Sequence, residues 1–457
     1  MTNTEPPESK EQQTMSGWLE RKFILGFWSK RFCKLEDNRI EIWKDEECKK
    51  IDSEMEITQQ TTIEILDDDK EFRFVVETPD VDTYQLKAAS KDELMKWILA
   101  LRSITFSNND LTMENFKILS VIGRGFYGKV MLVSKISNNE IFAIKSIHKS
   151  RLIQSDKVHT VIAERNILSK AAHPFIISLK FAFQTPSKFY LGLEYAPGGE
   201  LFFHMQKRGA FPLEDLKIYL AEIALALNHL HSIGVVYRDL KPENVLLSAQ
   251  GHIKLTDFGL AKDLYNEELT STFCGTSEYL APEIIRHEKY GIEVDWWSLG
   301  ILTYELLFNK TPFCHPNKSR LFQNILEKEV QYPAGVQTSI IEFINGLLQK
   351  DKRKRLTFKQ MQNLEFFKGL NFNDVLALKV QPSFIPKCDN QGVPSNFDTE
   401  FTTEQPADSF VMPVYGSAEK YPGFSYMEPE GLQSSMPKDF ADLDLKDSEP
   451  HDSNETN

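Results

Sequence analysis

The stretch that decides the fold of this 457-residue chain is Tyr237-Arg238-Asp239-Leu240-Lys241-Pro242-Glu243-Asn244, followed downstream by Asp257-Phe258-Gly259. It places an aspartate, a lysine and an asparagine on one short loop, with a second aspartate nearby. Phosphoryl transfer requires such a set: a carboxylate that orients the attacking hydroxyl, a cation near the transferred phosphate, and two oxygen ligands for Mg²⁺. We therefore predict that Asp239 orients the hydroxyl and that Lys241 stabilises the phosphoryl group. The predicted Mg²⁺ ligands are Asn244 and Asp257.

A glycine-rich loop lies upstream, at Gly123-Arg124-Gly125-Phe126-Tyr127-Gly128-Lys129-Val130. Glycines let such a loop close over nucleotide phosphates, where a Cβ atom would collide. Alone, this spacing is a weak indicator of nucleotide binding. It gains weight from the sequence 142–145, a predicted buried strand that presents Lys145 to the phosphates. The predicted nucleotide-binding residues of this region are Gly123, Gly125, Gly128, Val130 and Lys145.

The helical run 161–168 carries Glu164, which is the natural ion-pair partner of Lys145. The alternative is that Lys145 and Glu164 are solvated side chains on unrelated elements. The motifs downstream make that alternative improbable, so we count both residues with Asp239 and Lys241 as catalytic.

These motifs resemble the eukaryotic protein kinase domain over residues 116–367, and residues 368–426 resemble the C-terminal tail of the AGC group. The resemblance implies a bilobal fold, with a sheet-rich N-lobe and a larger helical C-lobe. It implies that backbone groups of Glu194 and Ala196 hold the adenine of ATP, with Leu193 as the gatekeeper. It also implies a structural ion pair between Glu283 and Arg355.

Two positions depart from the family pattern. Tyr237 replaces the more usual histidine before Arg-Asp, a substitution common in the AGC group. Ser277 stands where the family has proline, next to Thr276, which we expect to face the substrate. Because proline fixes φ and serine does not, we expect a looser substrate-facing loop here.

The resemblance also implies control by phosphorylation. Thr272 matches the activation-loop site, where a phosphate would add roughly −1.5 to −2 charges beside Arg238 and Lys262. Upstream kinases would modify Thr272 and, in the tail, Ser425.

Three tail segments support the AGC resemblance. Residues 397–401 resemble the segment that crosses the nucleotide site. Residues 421–426 resemble the hydrophobic motif, whose aromatic side chains would dock beside the Glu164 helix and whose phosphosite is Ser425. Ser409 aligns with the turn-motif phosphosite.

Two acidic residues predict the substrate class. Glu200 and Glu243 occupy positions that receive arginines upstream of the target hydroxyl in AGC kinases, and carboxylates pair with guanidinium groups in bidentate fashion. Each alone is compatible with a solvated surface acid. Together they favour basic peptides with arginine before serine or threonine.

The first hundred residues form a second unit. Residues 16–22 and 27–35 are predicted to form a hairpin, and further strand-like runs follow at 40–43, 62–66, 72–76 and 83–87. One amphipathic helix, 91–104, comes last. This order resembles a pleckstrin homology domain over residues 14–106, a β-sandwich or barrel capped by a helix. The implied fold class is α+β multidomain, and the domain order resembles the protein kinase B (Akt) family. The apolar face of the predicted helix is Leu94, Trp97, Ile98 and Leu101.

The hairpin is rich in basic residues. Residues 21–34 carry no acid, and their basic side chains would form a cup for a phosphoinositide head group, each charge contributing about 1 kcal/mol near a membrane. Residues 23–27 would dip into the lipid interface. A solvated basic face and ordinary hairpin packing remain alternatives, and Ser29 stands where strong binders have a base. The predicted lipid-binding residues are Arg21, Lys22, Lys30 and Arg31.

Composition limits other functions. The net charge of −13 argues against general nucleic-acid binding. The five cysteines are odd in number and lack CxxC pairs, which indicates reduced thiols rather than disulfides or a zinc site. We expect no signal peptide and no membrane span. Residues 107–115 form the predicted linker, and residues 427–457, acidic and poor in large apolar side chains, are predicted to be disordered.

Three interpretations compete at this point. The first is an active serine/threonine kinase that uses ATP and Mg²⁺, is a cytoplasmic monomer, and is recruited to the plasma membrane by phosphoinositides. The second is the same kinase with an N-terminal domain that binds a protein partner or autoinhibits. The third is a non-catalytic scaffold, which the complete catalytic set makes improbable.

Overall fold

The computed structural model describes residues 14–101, 111–264, 270–414 and 421–428, apart from gaps at 24–25, 37, 59–60, 67–71, 79–81, 91–92, 95, 99, 210, 271, 389–391 and 422–423. Parts of three predicted segments lie outside the described residues. They are residues 24–25 of the lipid-inserting loop, residues 107–110 of the linker, and residues 429–457 of the acidic tail. In the part of the chain that is described, we find no helix with the length and apolar character needed to cross a membrane.

The N-terminal domain is a seven-stranded antiparallel sheet in the order β4-β3-β2-β1-β7-β6-β5. Helical residues between 93 and 101 form α1, and its predicted apolar face is buried, with Trp97 fully enclosed. Strand β4 was not predicted, because its sequence, Ile51-Asp52-Ser53-Glu54-Met55-Glu56, is mostly polar and buries only Met55. The strands are β1 (Thr14–Lys22), β2 (Trp28–Glu36), β3 (Arg39–Trp43), β4 (Ile51–Glu56), β5 (Thr62–Leu66), β6 (Arg73–Thr78) and β7 (Asp82–Lys87).

The N-lobe follows as a six-stranded sheet in the order β18-β11-β12-β10-β9-β8. Its two helices are α2 (Lys149–Gln154) and α3 (Val158–Leu168). The edge strand β18 comes from the tail and pairs antiparallel with β11, which the sequence did not predict. The strands are β8 (Phe116–Arg124), β9 (Gly128–Lys135), β10 (Ile141–His148), β11 (Leu179–Gln184), β12 (Lys188–Glu194) and β18 (Tyr426–Met427).

The C-lobe is mainly helical and packs around α5, whose sequence Leu213–Ser232 is largely buried. The lobe also contains a three-stranded sheet, β13-β15-β16, and a two-stranded sheet, β14-β17. These strands are β13 (Gly199–Glu200), β14 (Val235–Val236), β15 (Val245–Leu247), β16 (Ile253–Leu255) and β17 (Lys262–Asp263). The helices are α4 (Leu201–Arg208), α5 (Leu213–Ser232), α6 (Pro282–Ile285), α7 (Glu293–Phe308), α8 (Lys318–Glu327), α9 (Thr338–Leu347), α10 (Phe358–Met361) and α11 (Phe372–Leu376), with α12 (Thr399–Thr402) in the tail.

The predicted ion pair of the C-lobe is present. Arg355 donates two hydrogen bonds to the Glu283 carboxylate, at 2.7 and 3.0 Å, and both side chains are buried. Removing one partner of such a pair leaves an uncompensated buried charge. The pair therefore fixes the end of the activation segment to the helical body of the lobe. The α+β multidomain fold predicted from the sequence is confirmed.

Candidate active site

Asp239 is the centre of a hydrogen-bonded loop. Lys241 Nζ lies 2.8 Å from Asp239 Oδ2, and the Asn244 amide donates to both the backbone oxygen and Oδ2 of Asp239, each at 2.8 Å. Thr276 Oγ1 donates to Asp239 Oδ1 at 3.3 Å, so the predicted substrate-facing threonine reaches the same carboxylate. Burial raises the pKa of Asp239, while Lys241 and Asn244 oppose the rise. The loop thus holds a carboxylate more basic than usual beside a lysine.

The catalytic loop is anchored from beneath by a residue that the sequence analysis missed. The buried carboxylate of Asp295, on α7, accepts hydrogen bonds from the backbone amides of Tyr237 and Arg238, at 2.9 and 2.7 Å. Arg238 and Asp257 both have left-handed backbone conformations, with φ of 67° and 57°. Such conformations cost energy in residues other than glycine and persist where the surroundings enforce them. The hydrogen bond from the Arg238 amide to Asp295 helps to hold Arg238 in this conformation.

Lys145 bridges the two lobes. On β10, its Nζ lies 2.6 Å from Glu164 Oε1 on α3 and 2.9 Å from Asp257 Oδ1. Burial alone would lower the pKa of Lys145, but Asp257 and Glu164 together raise it, so the side chain is charged. Lys145 in turn lowers the pKa of Asp257. The predicted ion pair with Glu164 is present, and it holds α3 against the sheet.

The glycine-rich loop connects β8 to β9. A Cβ atom at Gly128 would lie 1.7 Å from the Ser146 carbonyl oxygen, so the packing of β9 on β10 already requires this glycine. A Cβ atom at Gly125 would meet nothing within 4 Å, and one at Gly123 would meet only Val130. The predicted reason, closeness to phosphates, is therefore not needed to explain Gly128.

The hinge between the lobes contains Glu194 and Ala196. The Glu194 amide donates to Ser178 and the Ala196 carbonyl accepts from Gly199. The Glu194 side chain is held by Lys254, with 2.8 Å between Oε1 and Nζ. The conformation of this backbone is therefore fixed by the protein itself.

The tail passes beside this cleft. Phe397 is buried and stacks on the hinge residue Tyr195, with ring centroids 6.0 Å apart. Glu404 reaches Arg124 of the glycine-rich loop at 3.0 Å. The predicted cleft-crossing segment, 397–401, is thus placed between the hinge and the loop.

An acidic cluster lies in front of the catalytic loop. Burial, and then the charges of Glu243 and Asp398, raise the pKa of Glu200 to about 7. Burial also raises the pKa of Glu305. The hydrogen bond that Glu305 accepts from Tyr279 opposes this rise, and the charge of Glu243 adds to it. The structure thus brings the two predicted substrate acids together and adds Asp398 and Glu305, which the sequence analysis missed.

Thr272 is exposed at the activation segment. Its carbonyl accepts a hydrogen bond from Tyr290 at 2.6 Å, and Arg238 reaches the same tyrosine hydroxyl at 3.3 Å. Lys262 contacts Thr270, whose hydroxyl lies 3.3 Å from that of Thr272. Arg238 therefore reaches Thr272 through the Tyr290 hydroxyl. Lys262, the second predicted basic partner, reaches it through the Thr270 hydroxyl.

Further along the activation segment, Ser277–Tyr279 forms a 3-10 turn even though the proline usual in the family is missing.

The hydrophobic motif occupies a groove of the N-lobe. Phe424 is 2% exposed, and its ring centroid lies 4.4 Å from that of Phe189, while Tyr421 packs on the same ring at 5.2 Å. Arg165, on the Glu164 helix, donates to the Ser425 carbonyl at 2.9 Å. The predicted docking beside α3 is present in the described part of the motif, which lacks residues 422 and 423.

Ser409 lies next to a carboxylate that already occupies a basic site. Asp408 accepts hydrogen bonds from Tyr190 at 2.8 Å and from Ser146 at 3.1 Å, and its Oδ1 lies 2.7 Å from Lys188 Nζ. Lys188 also donates to the Ser409 carbonyl. Asp408 thus ties the tail to the N-lobe without a phosphate. The predicted phosphorylation of Ser409 itself stays a prediction.

The donor set of the cleft fits a hard divalent cation held with a nucleotide. Among the described residues, no cluster of three or more His, Cys, Asp or Glu side chains could hold a metal alone. Mg²⁺ is typically bound by one or two protein oxygens together with substrate phosphates. The Asp257 carboxylate, 49% exposed, and the Asn244 amide provide ligands of that kind.

The N-terminal hairpin separates the predicted lipid-binding residues. Because side chains alternate along a strand, Arg21 and Arg31 share one face of the β1–β2 hairpin, whereas Lys22 and Lys30 project from the other. Lys30 lies over the Trp18 ring on that second face, 5.2 Å from its centroid. Arg21 and Arg31 converge on one carboxylate, Asp52. The structure therefore brings together two of the four predicted basic residues.

A lysine paired with a helix glutamate, a catalytic-loop carboxylate and a cleft-facing aspartate, held between a sheet and a helical lobe, define a phosphotransferase of the protein kinase class. The sequence model described as "Protein kinase domain" matches residues 116–367, and that described as "PH domain" matches residues 13–106. The chain therefore belongs to the protein kinase family, as a serine/threonine kinase of the AGC group with an N-terminal pleckstrin homology domain.

Similar proteins support this assignment. Serine/threonine-protein kinase Sgk2 of Mus musculus is 40% identical over 336 residues, which are 71% of this chain and 92% of the relative. Serine/threonine-protein kinase YPK1 of Saccharomyces cerevisiae is 41% identical over 335 residues, 72% of this chain and 49% of the relative. Serine/threonine-protein kinase gad8 of Schizosaccharomyces pombe is 40% identical over 332 residues, 71% of this chain and 58% of the relative.

Proposed function

We propose that this kinase transfers phosphate from MgATP to serine or threonine in peptides with upstream arginines, is activated by phosphorylation of Thr272 and Ser425, and is recruited to membranes by phosphoinositides. The observation that carries the catalytic part is the network joining Lys241, Asn244 and Thr276 to the Asp239 carboxylate. A single carboxylate is presented there with its direction fixed by three side chains.

In this proposal, Asp239 accepts a hydrogen bond from the substrate hydroxyl and orients it. Its burial-raised pKa makes it a better acceptor than an exposed aspartate. Lys241, 2.8 Å away, contributes positive charge where negative charge develops on the transferred group. Thr276 limits the rotation of the carboxylate and faces the peptide.

Asn244 and Asp257 would hold Mg²⁺, which neutralises the phosphates and links them to the protein. Lys145, fixed by Glu164, would bind the nucleotide phosphates. The carbonyl of Glu194 and the amide of Ala196 would hold adenine, and the glycine-rich loop with Val130 would cover it.

The acidic cluster would select the peptide. The charge of Glu243 raises the pKa of Glu200, and a pair of neighbouring carboxylates favours guanidinium groups. Glu305 and Asp398 increase the negative charge of this surface. We therefore propose arginine-directed substrates.

Activation would act through charge. A phosphate on exposed Thr272 would be drawn to Arg238 and Lys262, and would join the segment to the loop that carries Asp239. A phosphate on exposed Ser425 would reinforce a motif whose aromatic residues already pack on Phe189. Membrane recruitment through Arg21 and Arg31 would bring the chain to its activating kinases.

The test is peptide phosphorylation by the full-length chain. We expect Thr272→Ala to have little activity, and phosphatase treatment to lower the wild type to the same level. Thr403→Ala, which alters an exposed threonine of the tail, is the matched control and should behave as wild type. Full activity of Thr272→Ala would contradict the proposed activation. Loss of activity in both variants would point to a folding defect instead.

A further inference from the structure

The basic cup of the N-terminal domain, formed by Arg21 and Arg31, is already occupied by a carboxylate of the protein itself. Arg21 Nη1 and Arg31 Nε both approach Asp52 Oδ2, at 3.4 and 3.2 Å. The two arginine side chains are each 16% exposed, and the aspartate side chain is 14% exposed. One strand-β4 carboxylate therefore sits between the two guanidinium groups that the hairpin brings together.

The remaining surfaces of the guanidinium groups are also covered. The Phe23 ring centroid lies 5.3 Å from the guanidinium carbon of Arg21 and 4.9 Å from that of Arg31. Tyr84 lies 4.3 Å from Arg21 on another side. Arg21 also donates to Ser53, and Arg31 donates to Ser29 at 2.6 Å. An incoming phosphate must therefore replace contacts that the free protein makes.

Asp52 is the contact that a phosphate replaces most directly. Carboxylate and phosphate oxygens accept the same charge-assisted hydrogen bonds from guanidinium groups. Two arginines and one aspartate leave the cluster with a single positive charge, so the cup retains only part of its attraction for an anion. Ser29, where strong binders carry a base, adds no charge.

We propose that Asp52 is an internal competitor of the phosphoinositide head group and sets the affinity of the cup. This inference rests on the proposed recruitment by phosphoinositides. Binding of the head group would displace Asp52 from Arg21 and Arg31, so the cup would respond to highly phosphorylated head groups, which offer more charge than the carboxylate they replace. Weakly charged lipids would not displace it.

The experiment compares Asp52→Asn with Glu54→Gln in the full-length chain. Both variants remove one negative charge from β4, but Glu54 pairs with exposed Arg39 at 3.3 Å, a kind of contact that contributes little. Binding is measured to phosphatidylcholine vesicles with phosphatidylinositol trisphosphate, with phosphatidylserine, or with neither. Soluble inositol hexakisphosphate is titrated in parallel to separate a lipid from a free inositol phosphate.

We expect Asp52→Asn to bind trisphosphate vesicles roughly fivefold more tightly, about the effect of one charge near a membrane, and to bind phosphatidylserine vesicles measurably. Glu54→Gln should match the wild type. An increase for inositol hexakisphosphate alone would support the competition and reassign the ligand to a free inositol phosphate. The inference would be overturned if the wild type binds trisphosphate vesicles selectively and a folded Asp52→Asn variant binds them equally or less tightly. Recruitment by phosphoinositides would still stand in that case.

Absence of selective binding in both proteins would overturn recruitment as well and favour a protein partner for this domain. Because loss of the Asp52 carboxylate leaves two arginines without their counter-ion, the thermal unfolding of each variant is measured first. If Asp52→Asn unfolds, Asp52→Ser provides a smaller polar substitute, and the same comparison with Glu54→Gln decides the question.

Discussion

The catalytic cleft and the N-terminal cup are both proposed to take phosphate-bearing ligands, yet their charges are balanced in opposite ways. In the cleft, one lysine, Lys145, faces two carboxylates, Glu164 and Asp257. In the cup, two arginines, Arg21 and Arg31, face one carboxylate, Asp52. The cleft has a surplus of negative charge and suits a phosphate that arrives with a divalent cation. The cup has a surplus of positive charge and suits a bare phosphate.

The largest effect should come from the cleft. Asp239→Asn keeps the shape of the side chain but removes the acceptor for the hydroxyl proton, and we expect kcat to fall by about 10²–10⁴. Nucleotide affinity, measured by titration with ATP and Mg²⁺, should change little, since Lys145 and Asp257 remain. Asp374→Asn, which alters a partly exposed aspartate on α11, is the control. A fall of less than tenfold would remove Asp239 from its proposed role.

The second effect tests the balance around Lys145. Glu164→Gln removes one of its two carboxylates, and a hydrogen bond to a charged group is worth about 1.5–3 kcal/mol. We therefore expect kcat/KM for ATP to fall roughly tenfold to hundredfold. The matched control is Glu365→Gln, which breaks an exposed pair with Lys368 at 2.9 Å and should have no effect. Equal kinetics in the two variants would show that Asp257 alone is sufficient for Lys145.

The same two regions show what a sequence can predict. Asp239, Lys241, Asn244 and Asp257 are recognisable because phosphoryl transfer demands certain residue types at short, local spacings. Asp295, by contrast, contacts the catalytic loop across 57 and 58 positions of the chain. Nothing local in the sequence connects such residues, because only the packing of α7 beneath the loop brings them together.

In the cup, the hairpin was predictable because two short strand-like runs, 16–22 and 27–35, follow each other closely in the sequence. Its counter-ion was not, because Asp52 lies on a polar edge strand that the pattern does not reveal. The alternation of side chains also divides the predicted basic set, with Lys30 on the face opposite to Arg31. Residue type indicated a basic hairpin, but strand register decides which charges converge.

The third effect is a pH dependence in peptide selection. Because burial and neighbouring carboxylates raise the pKa of Glu200 to about 7, this side chain is mostly neutral at pH 6 and mostly ionised at pH 8. Only the ionised form pairs strongly with arginine. We expect the ratio of kcat/KM for an arginine-containing peptide to that for its alanine analogue to rise toward tenfold over this range, since roughly a tenth of such a group is ionised one pH unit below its pKa.

The ratio cancels titrations that affect both peptides, including that of Asp239. In Glu200→Gln the ratio should be low and nearly independent of pH between 6 and 8. A ratio that rises equally in wild type and variant would assign the pH dependence to another acid of the cluster, such as Glu305.

The smallest effect lies in the cup and tests its geometry. Arg31→Ala and Lys30→Ala remove one positive charge each from adjacent positions of β2, but only Arg31 lies on the face with Arg21 and Asp52. A charge near a membrane contributes about 1 kcal/mol, roughly fivefold in affinity. If a general basic surface binds the lipid, both variants lose that amount on any anionic vesicle. If the cup binds the head group, Arg31→Ala loses selectively on trisphosphate vesicles, and Lys30→Ala stays close to wild type there. Equal losses would therefore reject the cup as the site, even though the charge change is the same.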